Sequence, residues 1–233
     1  MTDEKISQLD ASLSVLAASQ EMSFPYSFQE MGLDLIVHRD VFSPFHFNGW
    51  RIFTRNFPDV KGKDVLEIGS GHGATSIYLA KYGRANKIVA VDINPNAVEN
   101  TIANSLANEV RVDTRLSDIF SAIKEGERFD YIYWNMPFMR MPDDYQYRSI
   151  LERGLFDPGF RLAKRFLSEG KDYLKSHGAI LAGTGNFGDV EELLSLAEFY
   201  HYSPKLIAKE ETTEINPVDF QLWEFGLRRE DDR

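Results

Sequence analysis

The sequence predicts an α/β fold: a doubly wound, seven-stranded, mostly parallel sheet with helices on both faces. A C-terminal antiparallel strand pair ends it, and a small helical and aromatic N-terminal cap precedes it. Three observations carry this expectation. Apolar runs at residues 64–68 and 88–91 do not alternate with polar residues, as expected of strands covered on both faces. Between them, Gly69-Ser70-Gly71-His72-Gly73 forms a glycine-rich turn into a helix, and Asp92 ends the second strand at the sheet edge where such folds bind ligands. Strands and helices then alternate down the chain until the last two strands, whose short link makes them antiparallel.

Composition sets the outer bounds. The chain has 233 residues, enough for one large domain or a domain with a small addition. Its 43% hydrophobic and 13% aromatic content belongs to a folded globular protein. A formal net charge of −10 argues against a broad phosphate-binding face, while leaving room for a local basic groove. Cysteine is absent, which excludes disulfides and thiol catalysis. The N-terminal stretch has neither a basic start nor an apolar centre, so it does not read as a secretory signal. No apolar run is long enough to span a bilayer, and a soluble, cytoplasmic protein is expected.

In chain order, residues 2–22 carry Ile6, Leu9, Leu13 and Leu16 on one helical stripe. This helix either packs on the main domain or serves as a lid or dimer contact. Residues 23–50 hold seven aromatic rings, Phe24, Tyr26, Phe28, Phe42, Phe45, Phe47 and Trp50. They read either as a packed cap near a ligand or as an apolar layer over the sheet edge. A helix over 50–57 stops before Pro58. The boundary between cap and main domain falls at 59, giving segments 1–59 and 60–233.

After the first strand, Ile77, Tyr78 and Lys81 give residues 74–82 helical spacing. Asn94 is an N-cap with Pro95 at the first helical position, and Ala97, Val98, Ile102 and Leu106 share a face of the next helix. Residues 110–115 form the third strand, leading to Ser117-Asp118-Ile119. The fourth strand, 129–134, runs into Asn135-Met136-Pro137-Phe138. Residues 139–156 are polar and aromatic, and either grip a polar or charged substrate or form a solvated lid. A long helix over 161–175 closes near Gly178. Strand five covers 179–182, the loop 183–188 lies at the ligand edge, and Asp189 caps a helix reaching Tyr200. The final strands are 205–211 and 220–227, joined by a loop containing Asn216 and Pro217.

Two cofactor classes fit the glycine turn. Gly69, Gly71 and Ala74 satisfy a dinucleotide fingerprint, with Asp92 placed to hold a ribose. In another frame, Glu67-x-Gly69-x-Gly71-x-Gly73 resembles motif I of the class I S-adenosylmethionine (SAM) methyltransferases. The glycines alone leave the choice open. The antiparallel end of the sheet favours the methyltransferase family, whose Rossmann-like sheet this order resembles over residues 64–227.

That resemblance implies specific roles. Glu67, Gly69, Ser70, Gly71 and Gly73 would form the loop under the amino-acid part of SAM, and Asp92 with Ile93 would hold the ribose. Asp118 and Ile119 would meet the adenine. Asn135-Met136-Pro137-Phe138 is similar to motif IV of the amino-methyltransferases, Asn-Pro-Pro followed by Tyr or Phe, with Met136 where proline is usual. In that family the Asn oxygen and the next carbonyl accept the two amine hydrogens, and the aromatic ring stacks on the planar substrate. Asn135, Pro137 and Phe138 are therefore the expected catalytic set, with Asn135 also bordering the cofactor. Val41-Phe42-Ser43-Pro44 is similar to the segment before motif I in the methyltransferase small-domain and release-factor glutamine methyltransferase group.

Phe42, His46, Phe138, Arg140 and Tyr145 are the expected substrate contacts. His46 and Tyr26 would be general bases for an oxygen acceptor, or simply packed. The five histidines, at 38, 46, 72, 177 and 201, show no metal-ligand spacing, and no metal is expected. The sequence thus reads as a SAM-dependent methyltransferase, releasing S-adenosylhomocysteine and acting on a nitrogen of a small molecule or protein side chain. No membrane partner is expected, and nucleic acid ranks lower on charge. A small-molecule O-methyltransferase, an RNA N-methyltransferase, an NAD-dependent oxidoreductase and a non-catalytic SAM-binding module are the alternatives.

Overall fold

The computed structural model describes residues 3–212 and 218–228, so Asn216 and Pro217 lie outside the described residues. The chain opens with α1 (Asp3–Ser19), a hairpin of β1 (Tyr26–Glu30) and β2 (Leu33–Val37), and α2 (Gly49–Arg55). There follow β3 (Asp64–Ile68), α3 (Ala74–Lys81), β4 (Lys87–Asp92), α4 (Pro95–Ala107) and β5 (Asp113–Leu116). Next come β6 (Phe129–Asn135), the short strands β7 (Met139–Met141) and β8 (Phe156–Pro158), and α5 (Arg161–Gly170). β9 (Leu174–Gly185), α6 (Val190–Phe199), β10 (Tyr202–Glu211) and β11 (Asp219–Leu227) complete it.

Seven strands form the main sheet in the order β10-β11-β9-β6-β3-β4-β5. β5, β4, β3, β6 and β9 are parallel, and β11 runs antiparallel between β9 and β10. The chain moves outward from β3 to β5 and then returns to place β6 beside β3 on the other side. That reversal opens a crevice at the carboxyl ends of β3 and β6, the place where a doubly wound sheet binds ligands.

Burial on both faces explains the apolar runs. Leu66, Ile68, Val89, Val91, Ile132 and Trp134 pack toward α5 and α6, against Phe166, Leu167 and Leu193. On the opposite face, Tyr133 and Leu181 meet Phe53 of α2, and Val65 and Ile88 meet Leu79 of α3. Among the described residues, no helix is long and apolar enough to cross a membrane.

Several boundaries differ from the sequence reading, each for a physical reason. The helix expected to reach residue 175 ends at Gly170, where a side chain's first carbon would lie 2.7 Å from Ile180 Cδ1. Residues 171–173 form a 3-10 turn, and Leu174 already pairs with Phe129 in the sheet. Gly178 therefore lies inside β9, where the Phe129 carbonyl leaves no room for a Cβ, and does not close a helix. The third strand is shifted to 113–116, because Val110 and Val112 pack under α3 and β2 before the strand begins.

The aromatic cap contains a hairpin that the rings had obscured. Asn100 and Asn104 on α4 and Asn108 at its C-cap stand four residues apart, on one buried stripe facing β2. Their Oδ1 atoms accept the His38, Ile36 and Asp34 N–H groups at 2.8, 2.8 and 3.1 Å. Their amide nitrogens donate to the Ile36 carbonyl (Asn100, 2.7 Å; Asn104, 2.9 Å) and the Asp34 carbonyl (Asn108, 2.7 Å). The outer edge of β2 would otherwise be an open row of backbone groups. The helix supplies an asparagine ladder in place of a neighbouring strand.

Leu9 and Leu13 of α1 pack on Met139, Met141 and Phe156 of the small β7–β8 sheet, while Ile6 stays exposed. This docks α1 on the body of the protein.

Candidate active site

The loop after β3 turns with left-handed backbone at Gly69 (φ 63°) and Gly71 (φ 55°). A side chain at Gly69 would place its first carbon 2.8 Å from Trp134 Nε1, so the loop lies directly on the indole. At Gly71 the same carbon would meet no atom within 4 Å, because the position opens into a cavity. The loop thus leaves open space on its cavity side at Gly71. Asp92, at the end of β4, steadies it: Oδ2 accepts the Gly71 N–H at 2.9 Å and Oδ1 the Asn94 N–H at 2.8 Å. Burial raises the Asp92 carboxyl above its ordinary value, opposed by those N–H groups.

Glu67 on β3 accepts the Ser76 N–H at 3.0 Å and also the Ser76 hydroxyl, which ties the strand to α3. Burial pushes its carboxyl up to about 8. His72 is buried, with its Nδ1 accepting the Ala74 N–H at 3.2 Å. Burial, and then the nearby Arg51, lower its pKa to about 4, so the ring is neutral. Asp118 is more exposed and accepts from Arg165 Nη1 at 3.0 and 3.1 Å.

Two chambers meet at the crevice. The inner one, of about 160 Å3, is lined by the glycine loop, Asp92, Ile93, Asp118 and Ile119. The outer one, of about 920 Å3, lies under α1 and is walled by Met136, Phe138, Met139, Phe187 and Phe220. Phe42, Phe47, Asn135 and Gly154 belong to both walls. The Phe42 and Phe47 rings meet at a 40° tilt, with centroids 4.2 Å apart. Asn135 closes β6, and the turn after it is pinned by the Met136 N–H donating to the Gly183 carbonyl at 3.1 Å.

The structure brings most of the expected residues together. Glu67, Gly69, Ser70, Gly71, Asp92, Ile93, Asp118, Ile119 and Asn135 line the inner chamber. Phe42 lines both, and His46 and Phe138 line the outer one. Four positions lie elsewhere. Gly73 caps α3 and packs on Thr101, and Pro137 sits between two lining residues. Arg140 pairs with Glu192 at 3.5 Å on α6. Tyr145 donates to Glu152 at 3.0 Å and packs edge-on against Phe156, with burial and Glu152 raising its pKa to about 12.

Other contributors were not singled out from sequence. His72 and Trp134 flank motif residues, and Asn186 and Phe187 come from the loop expected at the ligand edge. Ser7, Gln8, Ser12 and Val15 of α1 line the outer chamber. Arg153 lines the inner chamber and carries no sequence signal at all. Among the described residues, no group of three or more His, Cys, Asp or Glu side chains is placed to hold a metal ion.

Known proteins share this organisation. Residues 32–210 match the family model described as the methyltransferase small domain. A provisionally named protein N5-glutamine methyltransferase of Methanocaldococcus jannaschii is 38% identical over 152 residues, covering 64% of this chain and 74% of that protein. The release factor glutamine methyltransferase of Koribacter versatilis is 32% identical over 131 residues, covering 52% of this chain and 46% of that protein. The chain thus spans about half the length of that release-factor enzyme.

Among solved structures, the T. thermophilus 16S rRNA N2 methyltransferase in complex with AdoMet and guanosine aligns with TM-score 0.62 at 20% identity, over 88% of this chain and 50% of that one. A methyltransferase from Pyrococcus furiosus aligns with TM-score 0.59 at 20% identity, over 94% and 98% of the two chains. These two likenesses establish the fold. The family model covers most of the chain and a 38% identical relative agrees with it, so this chain belongs to the methyltransferase small domain family and is a SAM-dependent methyltransferase.

Proposed function

We propose that this enzyme methylates a side-chain amide nitrogen of a protein glutamine. The observation that carries the reading is Asn135, which stands in the wall common to the inner and outer chambers. An acceptor in the outer chamber and a donor in the inner one would meet there.

The inner chamber fits SAM by its chemistry. The Gly71 cradle admits close backbone approach, and Asp92 presents carboxylate oxygens suited to a ribose diol. Asp118 and Ile119 line the same chamber and would meet the adenine edge and face. When bound, SAM supplies an electrophilic methyl group on a sulfonium.

The chain's own part is positioning. An amide nitrogen is planar and weakly nucleophilic because its lone pair is conjugated. The Asn135 side-chain oxygen and the Met136 carbonyl would accept its two hydrogens, favouring the geometry in which the lone pair is free to react. Phe138, held edge-on by Phe220 at 5.9 Å, would cover the planar amide and exclude water.

Among the described residues, the outer chamber is lined by no Asp, Glu, Lys or Arg. Apolar rings and amides suit a neutral amide, whereas a nucleotide would bring a phosphate with no cation to meet it. Its volume of about 920 Å3 lies near the top of the ordinary range for ligand cavities, ~300–1,000 Å3, and exceeds the needs of a free amino acid. This supports a peptide segment as acceptor, in keeping with the names of the two relatives described above.

A split between binding and turnover tests the role of Asn135. Asn135→Ala should keep SAM affinity within about tenfold while turnover falls ~10²-fold or more, the scale of losing one transition-state contact. Equal turnover in the variant would remove Asn135 from the reaction.

A further inference from the structure

Around the inner chamber stand three acidic residues, Glu67, Asp92 and Asp118, and among the described residues a single Lys or Arg, Arg153. Each acid has a partner within the protein: Glu67 has Ser76, Asp92 has the Gly71 and Asn94 N–H groups, and Asp118 has Arg165. Arg153 has no ion-pair partner among the described residues. Its guanidinium lies over the Tyr147 ring, 4.8 Å from the centroid.

Nearby carboxylates are committed elsewhere. Glu152, its neighbour in sequence, is buried and accepts from the Tyr145 hydroxyl at 3.0 Å and the Arg148 N–H at 2.8 Å. Asp157 is buried and accepts the Leu162 and Ala163 N–H groups, both at 2.9 Å. Arg115 and Arg165, by contrast, each hold a carboxylate directly, at 2.6 and 3.0 Å.

The segment bearing Arg153 is held in place. Leu151–Gly154 is a 3-10 turn with Leu151 buried, and Gly154 sits so close to Phe42 that a Cβ there would lie 2.8 Å from the ring. Gly154 is also part of the wall shared by the two chambers, so Arg153 stands next to the junction that contains Asn135.

We propose that Arg153 binds the carboxylate of the amino-acid end of SAM. The inference rests on the inner chamber being the cofactor site. A wall carrying the Asp92 and Asp118 carboxylates repels an anionic group unless a cation receives it, and a planar guanidinium lying over a ring is preorganised to grip a carboxylate with two parallel hydrogen bonds. Asp92 and Asp118 then serve the diol and the adenine edge of the same ligand, and the arginine serves its one anion.

Calorimetric titration with two ligands separates this role from a structural one. S-adenosylhomocysteine carries the carboxylate, whereas 5′-methylthioadenosine keeps the nucleoside and lacks the amino-acid end. Arg153→Gln should weaken S-adenosylhomocysteine about ten- to hundredfold, the scale of a charged hydrogen bond, and leave methylthioadenosine within about twofold. Arg153→Lys should recover part of the loss, since it restores the charge without the fork. Equal losses for both ligands, or none for either, would overturn the proposal while leaving the cofactor site standing. Failure of the unaltered protein to bind S-adenosylhomocysteine would overturn the cofactor reading and this proposal with it.

Discussion

Replacing Asn104 by alanine should unfold the link between hairpin and helix more than any exposed polar change on α4. The residue is fully buried and makes three bonds: its Oδ1 accepts the Ile36 N–H at 2.8 Å, and its Nδ2 donates to the Ile36 carbonyl at 2.9 Å and the His72 carbonyl at 2.8 Å. A net ~1 kcal/mol for each bond gives a loss of about 3 kcal/mol, and stranding the Ile36 N–H away from water adds to it. For a chain of this size, ~2–4 °C per kcal/mol converts that into a fall in melting temperature of about 6–12 °C. Thermal and urea unfolding followed by circular dichroism would measure it. A shift below about 2 °C would refute the ladder as the device that holds β2. Because the third bond ends on the carbonyl of the glycine loop, cofactor affinity should fall in the same variant.

Three further outcomes follow from the site. Glu67 has a folded-state pKa of about 8 against an ordinary 4.5, so the native state binds the extra proton. Its contribution is complete below the unfolded value and is lost as pH rises through 8. Unfolding midpoints in urea should therefore decline from pH 5 to pH 8 less steeply in Glu67→Gln than in the parent, and parallel profiles would contradict the burial argument. Gly71→Ala places a methyl where no atom lies within 4 Å but in left-handed backbone, at a cost of ~1–2 kcal/mol. Its SAM affinity, read by calorimetry, should fall because the methyl enters the inner chamber; unchanged affinity would count against the cradle. Asp118→Ala removes an ion pair whose side chains are 51% and 38% exposed, so stability should change by less than ~1 kcal/mol. SAM affinity should still drop, and a variant with full affinity would exclude the adenine role.

The segments that wall the inner chamber are readable because their signals are local. A strand buried on both faces, a glycine turn and a terminal acid occupy residues 64–92, and each leaves a mark within a few positions. Asn135 and Phe138 likewise sit directly after a recognisable strand, and both reach the chamber walls. The N-terminal hairpin leaves no local signal because its partner lies some seventy residues away, in Asn100 and Asn104 of α4 and Asn108 at its C-cap. Their four-residue spacing was visible as a polar stripe, yet a polar stripe on a helix ordinarily faces water. As polar and aromatic residues after the motif, Arg140 and Tyr145 read as substrate contacts. The fold instead turns Arg140 toward α6 and Tyr145 toward Glu152, through contacts that depend on where β7 and β8 pair. The long helix was overrun for a similar reason: residues 171–175 keep helical composition, but the register of β9 against β6 claims Leu174.

The most direct measurement is the fate of labelled methyl groups when the purified enzyme meets SAM and a cell extract. Fractionation followed by peptide mass mapping would locate the label. The expected result is a methyl group on the side-chain amide nitrogen of a glutamine in a protein, lost in Asn135→Ala. Label confined to RNA or to small molecules would contradict the proposed acceptor. No transfer at all, by an enzyme that binds SAM, would contradict the reading of the two chambers as donor and acceptor sites.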